Sequence, residues 1–198
     1  MTRPTTVELH VCLPGILPMA FARVAAADRA GLAARGVRVV ESAAAVDASV
    51  HPIERSRTVI VDPIAWSPRW LRRWAPPAGC VASVVVWRPS ALELVARLAQ
   101  HPDPAARTAA LVASAAETHG RLSAVAADRF TRVEHRAVAD EGGEVFVAAA
   151  RALGATPIDR MPAIAGPLAD ADGRVDLDAL ASLIVRGWRA ACPVGGQP

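Results

Sequence analysis

The chain has 198 residues, of which 53% are hydrophobic and 21% charged, and its formal net charge is +3. This composition suits one globular domain with a sizeable core and excludes a disordered protein. All 22 basic residues are arginine, and asparagine and tyrosine are also missing. We interpret this bias as that of a GC-rich, hence bacterial, coding sequence. It also excludes a phosphate-binding or Schiff-base lysine.

Charge and hydropathy also bear on partners and compartment. The arginines are spread along the sequence and form no basic stripe, so we predict no nucleic-acid partner. No apolar run approaches the roughly 20 residues of a membrane span, and polar residues interrupt any signal-peptide core. The three cysteines follow neither a disulfide nor a metal spacing; they are Cys12, Cys80 and Cys192. We therefore predict a cytoplasmic protein without membrane association or bound metal.

The first forty residues predict the unit around which the fold is built. Residues 7–13 read as a strand, 14–19 as a tight loop, and a helix from Ala20 ends at Gly36 before a second strand, 37–40. Gly is the usual helix terminator at such a position. A strand, helix and strand of these lengths favour a right-handed crossover and a parallel sheet.

The rest of the chain continues this alternation. Three further apolar stretches predict strands over 58–61, 81–87 and 130–138. Helices are predicted after Ser67, after Ser90, over 105–129 and over 144–153. A Pro/Gly-rich loop over 155–174 precedes a final helix capped by Asp176. The predicted fold is a three-layer α/β domain covering residues 1–198, with a mostly parallel sheet of about five strands.

Three segments resemble the small bacterial P-loop sulfotransferases. They are LHVCLPGILPMAFARVAAADRAGLAARGVRVV (9–40), VVVWRPSALELVARL (84–98) and FTRVEHRAVADEGGEVFVAAARALG (130–154). The resemblance implies a P-loop sulfotransferase-like fold. It also places Arg88 where family members bind the 3′-phosphate of their sulfate donor, 3′-phosphoadenosine 5′-phosphosulfate.

The phosphate-binding loop of that family is degenerate in this chain. A phosphate cradle needs glycine, free amides at a helix N-terminus, a lysine and a hydroxyl. Residues 12–19 offer one glycine, no lysine, no hydroxyl and two prolines, which lack an N–H. Ser90 is the hydroxyl that could replace the family's phosphate-binding serine, since Val95 and Ala96 stand in its place. We therefore expect the donor to bind weakly or not at all, and no other cofactor is implied.

Three residues are candidates for catalysis. Asp62 follows a predicted strand, where α/β proteins place functional groups, and it is either a base or the cap of the next segment. His51 lies in a predicted loop and is either a general base or an ordinary exposed histidine. His10 lies within the first strand, and the alternation of side chains leaves open whether it faces the site.

A second set of residues is a candidate ligand-binding surface. Arg88 and Ser90 would bind an anionic group, because a guanidinium fork suits a carboxylate or phosphate. Tryptophans and loop residues would line an apolar pocket; they are Trp66, Trp70 and Trp74 with Ile16, Leu17 and Met19. Core packing is the alternative interpretation of the tryptophans.

Three functions follow from these residues. The leading hypothesis is a sulfotransferase-fold protein that has lost donor binding and binds, tailors or cyclises an apolar metabolite in bacterial secondary metabolism. The second is an active sulfotransferase that holds the donor through Arg88, Ser90 and backbone amides. The third is a non-catalytic scaffold that acts as a homodimer or with a partner protein.

Overall fold

The structure, a computed structural model, describes residues 5–43, 57–98, 104–140 and 145–155. Within these ranges the strands are β1 (Thr5–Val11), β2 (Val37–Val40), β3 (Arg57–Ile60), β4 (Cys80–Arg88) and β5 (Val133–Ala137). The α-helices are α1 (Ile16–Ala27), α2 (Arg29–Ala34), α3 (Pro68–Leu71), α4 (Ala91–Leu98), α5 (Pro104–Arg129) and α6 (Val145–Leu153). A short 3-10 helix spans Pro63–Trp66.

The strands form one parallel sheet in the order β2-β3-β1-β4-β5. Leu9 in the central strand pairs with Ile60 on one side and Val84 on the other. At the β4–β5 edge, Val86 pairs with His135. The predicted α/β class and five-stranded parallel sheet are therefore confirmed.

Helices cover both faces of the sheet and give three layers. Side chains of β1 alternate, so Val7 and Leu9 pack in one core with α3 and α5. His10 points to the opposite face and contacts Phe21 of α1, with ring centroids 4.8 Å apart. α1 and α6 pack together over that second face, where Phe21 and Phe146 are buried.

The connection from β1 to α1 is shorter than the sequence indicated. The prediction of a loop through Met19 and a helix from Ala20 is wrong, because α1 begins at Ile16 with Gly15 as its N-cap. Pro18 falls in the first helical turn, where a backbone N–H has no partner within the helix. A proline there does not break the helix, and only residues 12–15 connect the two elements.

The prediction of one helix up to Gly36 is also wrong. Asp28 leaves helical geometry, with φ −112° and ψ 32°, and separates α1 from α2. Its carboxylate accepts a hydrogen bond from Arg35 at 2.7 Å, which ties the interruption to the end of α2. Gly36 has a φ of 69°, which glycine adopts without strain, and it leads directly into β2.

The later predicted elements agree with the structure apart from shifts at their ends. Ser67 caps α3 by accepting the Trp70 N–H, at 3.4 Å, and α6 ends at Leu153, directly before Gly154. The predicted surface loop with His51, the helix after Asp176 and nearly all of the 155–174 loop lie outside the described residues. The single domain over 1–198 accordingly stays a prediction. Of the described helices, none combines the length and apolar character needed to cross a bilayer.

Candidate functional site

The strand order places a switch point beside β1. After β1 the chain crosses to β2, on one side of the sheet, whereas after β4 it crosses to β5, on the other side. The carboxyl ends of β1 and β4 therefore flank the crevice in which open α/β sheets bind ligands. Residues 12–15 border the crevice on one side, and Pro89 and Ser90 border it on the other.

The N-terminus of α1 opens onto this crevice. Its N-cap, Gly15, has φ 150° and ψ −125°, a conformation that is strained for any residue with a Cβ. Gly15 has no side chain to cap the helix, so the first amides of α1 require acceptors from another element. In a P-loop protein those acceptors are phosphate oxygens.

In this chain the acceptor is the carboxylate of Glu93, from α4. Glu93 is 3% exposed, and its Oε1 accepts the Leu17 N–H in a long hydrogen bond of 3.4 Å. Its Oε2 accepts the N–H of Ser90 at 2.9 Å and the Ser90 hydroxyl at 3.1 Å. The Ser90 Oγ accepts the Glu93 N–H in return, at 3.2 Å, which completes a capping box for α4. One buried carboxylate therefore joins the N-termini of two helices.

Burial raises the pKa of Glu93, while the hydrogen bonds from Ser90 and Leu17 and the charge of Arg97 act in the opposite direction. A second group at this crevice, the Cys12 thiol, is fully buried, and burial raises its pKa well above the ordinary value. Such a thiol is a weak nucleophile. The first turn of α1 thus contacts the Glu93 carboxylate, and the unreactive Cys12 thiol lies at the same crevice.

A cavity of about 310 Å³ lies next to this region, and we call it the edge cavity. It is a half-open cavity bordered by the β1–α1 connection, the 3-10 helix, the start of α3, and helices α4 and α5. Its apolar walls include Leu13, Trp66, Leu94 and Leu111. The volume is at the lower end of the range for small-molecule sites, roughly 300–1,000 Å³.

Most polar groups of the edge cavity come from α4 and α5, and Ser67 at the start of α3 is a further one. Arg97 lines it from α4, and Ser114 and Thr118 line it from α5. No carboxylate in the described ranges lies within 4.0 Å of the Arg97 guanidinium. A cavity with apolar walls and one guanidinium that lacks a close carboxylate matches a small apolar molecule that carries one carboxylate.

His10 lies beneath α1 in a partly buried chain of polar side chains. Its Nδ1 accepts the indole N–H of Trp87 at 2.9 Å, so its proton is on Nε2, which donates to Glu8 at 2.6 Å. Arg57 donates to both oxygens of Glu8, at 3.0 and 2.6 Å, and to the carbonyl of Ala152 at 2.8 Å. The chain links β4, β1, β3 and α6 across one face of the sheet.

These contacts set the ionisation of the two central groups. Burial lowers the pKa of His10 below its ordinary value, despite the opposing effect of Glu8. Burial also disfavours the Glu8 carboxylate, but the hydrogen bonds from His10 and Arg57 outweigh it and lower the Glu8 pKa to about 2. His10 is thus a neutral interior group, and it does not line the edge cavity.

Asp62 is held by backbone amides on two sides. Its Oδ1 accepts the Ile64 N–H and its Oδ2 accepts the Ala43 N–H, both at 2.9 Å, and the residue is 5% exposed. This is the capping arrangement that the sequence offered as the alternative to a catalytic base. The third catalytic candidate, His51, lies outside the described residues.

Arg88 and Ser90, the predicted anion-binding pair, make different contacts. Ser90 belongs to the capping box with Glu93. Arg88, at the end of β4, has a side chain that is 47% exposed, and its guanidinium is 4.0 Å from the Asp140 carboxylate. Neither residue lines the edge cavity.

The predicted apolar pocket is only partly assembled. Trp66 lines the edge cavity and stacks on His119, with centroids 6.4 Å apart. Trp70 stacks on Trp74, which contacts Phe130, so this pair belongs to the core beneath α3. The other predicted members pack into the core on the opposite face of the sheet; they are Ile16, Leu17 and Met19. From the altered loop, Leu13 contributes instead.

We compared the chain with known proteins. No protein-family model, no curated protein and no solved structure matches it. The site is therefore interpreted from its own geometry. In the part of the chain that the structure describes, no group of three or more His, Cys, Asp or Glu side chains is arranged to hold a metal ion.

The sequence analysis missed the two most informative residues of the site. Glu93 could have been found, because Ser90-Ala91-Leu92-Glu93 has the S-x-x-E pattern of a capping box. Its long-range contact with Leu17 has no local signal. Arg97 has the spacing of an ordinary solvent-facing helix residue, and only the packing of α4 against α5 makes it part of a cavity.

Proposed function

We propose that this protein binds an apolar small molecule bearing one carboxylate in the edge cavity, on a sulfotransferase-like frame without sulfate-donor binding. The observation that carries the proposal is the Glu93 carboxylate at the N-terminus of α1, beside a cavity that is lined by the Arg97 guanidinium. The N-terminus of α1, which a phosphate would need, is occupied by Glu93. The Arg97 guanidinium lines the edge cavity beside it.

The residues present do not fit the sulfate donor. A phosphate group placed at the first turn of α1 would meet the Glu93 carboxylate, and two like charges at that distance repel strongly where water is excluded. Leu13 and Ile16, which flank the turn, are buried and apolar. A diphosphate would lose its hydration there without gaining hydrogen bonds.

The geometry favours binding over a tailoring or cyclising reaction. The lining of the edge cavity includes no imidazole or carboxylate among the described residues. Two of the candidate catalysts, His10 and Asp62, have their polar atoms engaged elsewhere. General acid or base catalysis requires such a group within hydrogen-bond reach of the ligand. We therefore place ligand binding ahead of chemistry.

Isothermal titration calorimetry of the full chain tests the proposal. The probes are 4-phenylbutyrate, its neutral amide, and adenosine 3′,5′-bisphosphate. We expect the acid to bind at least about tenfold more tightly than the amide, because a charge-assisted hydrogen bond contributes about 1.5–3 kcal/mol. Arg97→Gln should remove that preference and leave amide binding within about twofold.

Two further variants complete the experiment. Leu111→Trp should abolish binding of both the acid and the amide by filling the cavity. Arg107→Gln, an exposed α5 residue outside the lining, should change neither affinity. Equal binding of acid and amide would remove the role of Arg97, and micromolar binding of the bisphosphate would contradict the loss of the donor site.

A further inference from the structure

A second concave surface adjoins the edge cavity, with which it shares Ser67 and Pro68. It has a volume of about 860 Å³ and lies between α3, with the turn that follows it, and the middle of α5. Four arginines line it: Arg69, Arg72 and Arg73 on the α3 side and Arg121 on the α5 side. We call it the arginine groove. Three of these arginines are neighbours in sequence, and the fold brings Arg121 to them.

The local sequence fixes the α3 wall with its charges outward. Ser67 and Pro68 start the short helix, and Leu71 is fully buried beneath it. Trp70 and Trp74, four residues apart, stack on each other and pack on the same core. Arg69 precedes Trp70, Arg72 and Arg73 lie between the tryptophans, and all three are exposed. The wall is tied to α5 by Arg129, which donates to the Leu71 carbonyl at 3.2 Å.

The groove carries a positive charge that the described chain does not neutralise. No carboxylate in the described ranges lies within 4.0 Å of Arg69, Arg72 or Arg73. Arg121 pairs with Glu117, four residues before it on the exposed surface of α5. The acidic residue in the groove lining is Asp128. Three guanidinium groups without a close carboxylate, all on the α3 side, therefore give the groove its positive charge.

The floor between the charged walls is apolar. Pro68, Ala124 and Val125 form it, with the aliphatic stems of the arginines beside them. Along α5 the lining runs from Arg121 to Asp128, which is about two helical turns or roughly 10 Å. An apolar floor between cationic walls complements a helix with one apolar face flanked by acidic side chains.

We infer that the arginine groove docks an acidic amphipathic helix of a partner protein. Arginine forks bind carboxylates in paired hydrogen bonds, and the small floor residues accept short apolar side chains. A nucleic-acid strand is a poorer match, because the lining has no aromatic ring on which a base could stack. This partner site adjoins the ligand site, since both linings include Ser67 and Pro68, but its four arginines do not line the edge cavity.

Fluorescence anisotropy with the full chain tests this inference. The probes are a labelled 20-residue helical peptide with Leu on one face and Glu flanking it, the same peptide with every Glu replaced by Gln, and a labelled single-stranded 20-mer of DNA. We expect the acidic peptide to bind at least about tenfold more tightly than either of the others, with affinity that falls as salt rises.

Variants locate the binding to the groove. Arg69→Gln, Arg72→Gln and Arg73→Gln combined should weaken acidic-peptide binding by about tenfold or more, and Arg121→Gln alone by about threefold. Arg23→Gln, an exposed arginine on α1 at the opposite face of the sheet, should stay within about twofold of the parent. The single Arg121 variant keeps the test valid if the triple variant unfolds in a thermal melt.

The inference is overturned by any of three results. These are a Gln peptide that binds as tightly as the Glu peptide, DNA that binds more tightly than both, and an Arg23→Gln variant that weakens binding as much as Arg121→Gln. Absence of acidic-peptide binding at 100-fold excess over the protein overturns it as well.

Discussion

Glu93 is a buried carboxylate with donors from two helices, and this makes it the residue on which the geometry of the crevice depends. Glu93→Ala leaves the N–H groups of Leu17 and Ser90 without their acceptor and removes half of a capping box. The desolvation that raises the Glu93 pKa is relieved at the same time, which limits the loss. We expect the free energy of unfolding to fall by about 1–2 kcal/mol.

Urea unfolding followed by tryptophan fluorescence measures this change. The matched control is the neighbouring Leu92→Ala, since Leu92 is 40% exposed and should cost less than about 0.5 kcal/mol. A Glu93→Ala protein as stable as the parent would mean that its buried carboxylate is not required by α1 or α4.

At the scale of elements, two glycines make opposite predictions. Gly15 caps α1 with φ 150°, and Gly120 lies inside α5 with no positive φ. A Cβ added at either position meets no atom within 4 Å, so the backbone alone decides the outcome. Gly15→Ala should lower the free energy of unfolding by about 1–2 kcal/mol through strain. Gly120→Ala should raise it by about 0.5–1 kcal/mol through higher helix propensity.

The pair is measured in the same urea series, and each variant is the control for the other. Both variants replace a hydrogen by a methyl group on an open surface. A general effect of that substitution would therefore change the free energy of unfolding of both variants in the same direction. Opposite signs are the expected result. If both variants lower the free energy of unfolding equally, the positive φ of Gly15 is not the cause of its loss.

The elements could be predicted from sequence wherever the signal is local. The run of β-branched residues in β4 predicted a strand, and Gly36 predicted the end of a helix. The start of α1 was misplaced because Pro18 is a helix breaker in general but not in the first turn. The break at Asp28 had no local signal that was recognised.

The candidate site was less predictable because it depends on contacts between distant segments. Burial of His10 against Trp87 follows from strand register, which the sequence does not specify. The contact of Glu93 with Leu17 and the placement of Arg121 and Arg72 on one groove require the packing of whole helices. Residue types indicated what chemistry was absent from the loop, whereas the positions of the cavity and groove came from the fold.

At the scale of the whole molecule, buried ionisable groups make stability depend on pH. Burial lowers the pKa of His10 below 6.5. Burial, followed by the charges of His135 and Arg88, lowers the pKa of His119 to about 4. The unfolded chain therefore takes up protons on both residues as pH falls through about 6.5, while the folded chain does not. Their contribution to stability is present above pH 6.5 and is lost below it.

The two glutamates act in opposite directions at lower pH. The Glu8 pKa is lowered from 4.5 to about 2, so its contribution is present above pH 4.5 and is lost between 4.5 and 2. The Glu93 pKa is raised, so the folded chain binds that proton first and gains stability as pH falls toward 4.5. Between about pH 6.5 and 4.5 the histidines therefore set the slope, and Glu93 reduces it.

We predict that the free energy of unfolding falls continuously from pH 7.5 to 4.5, with a slope of up to about 1.4 kcal/mol per pH unit for each histidine. His10→Gln keeps a neutral hydrogen-bonding side chain and should remove the contribution of one histidine, up to about 1.4 kcal/mol per pH unit, from this slope. Adding His119→Gln should reduce the slope further. Urea unfolding at pH 7.5, 6.5, 5.5 and 4.5 measures the slopes. A parent protein whose stability is constant over this range would contradict the burial of these imidazoles, because a buried neutral histidine cannot titrate with the unfolded chain.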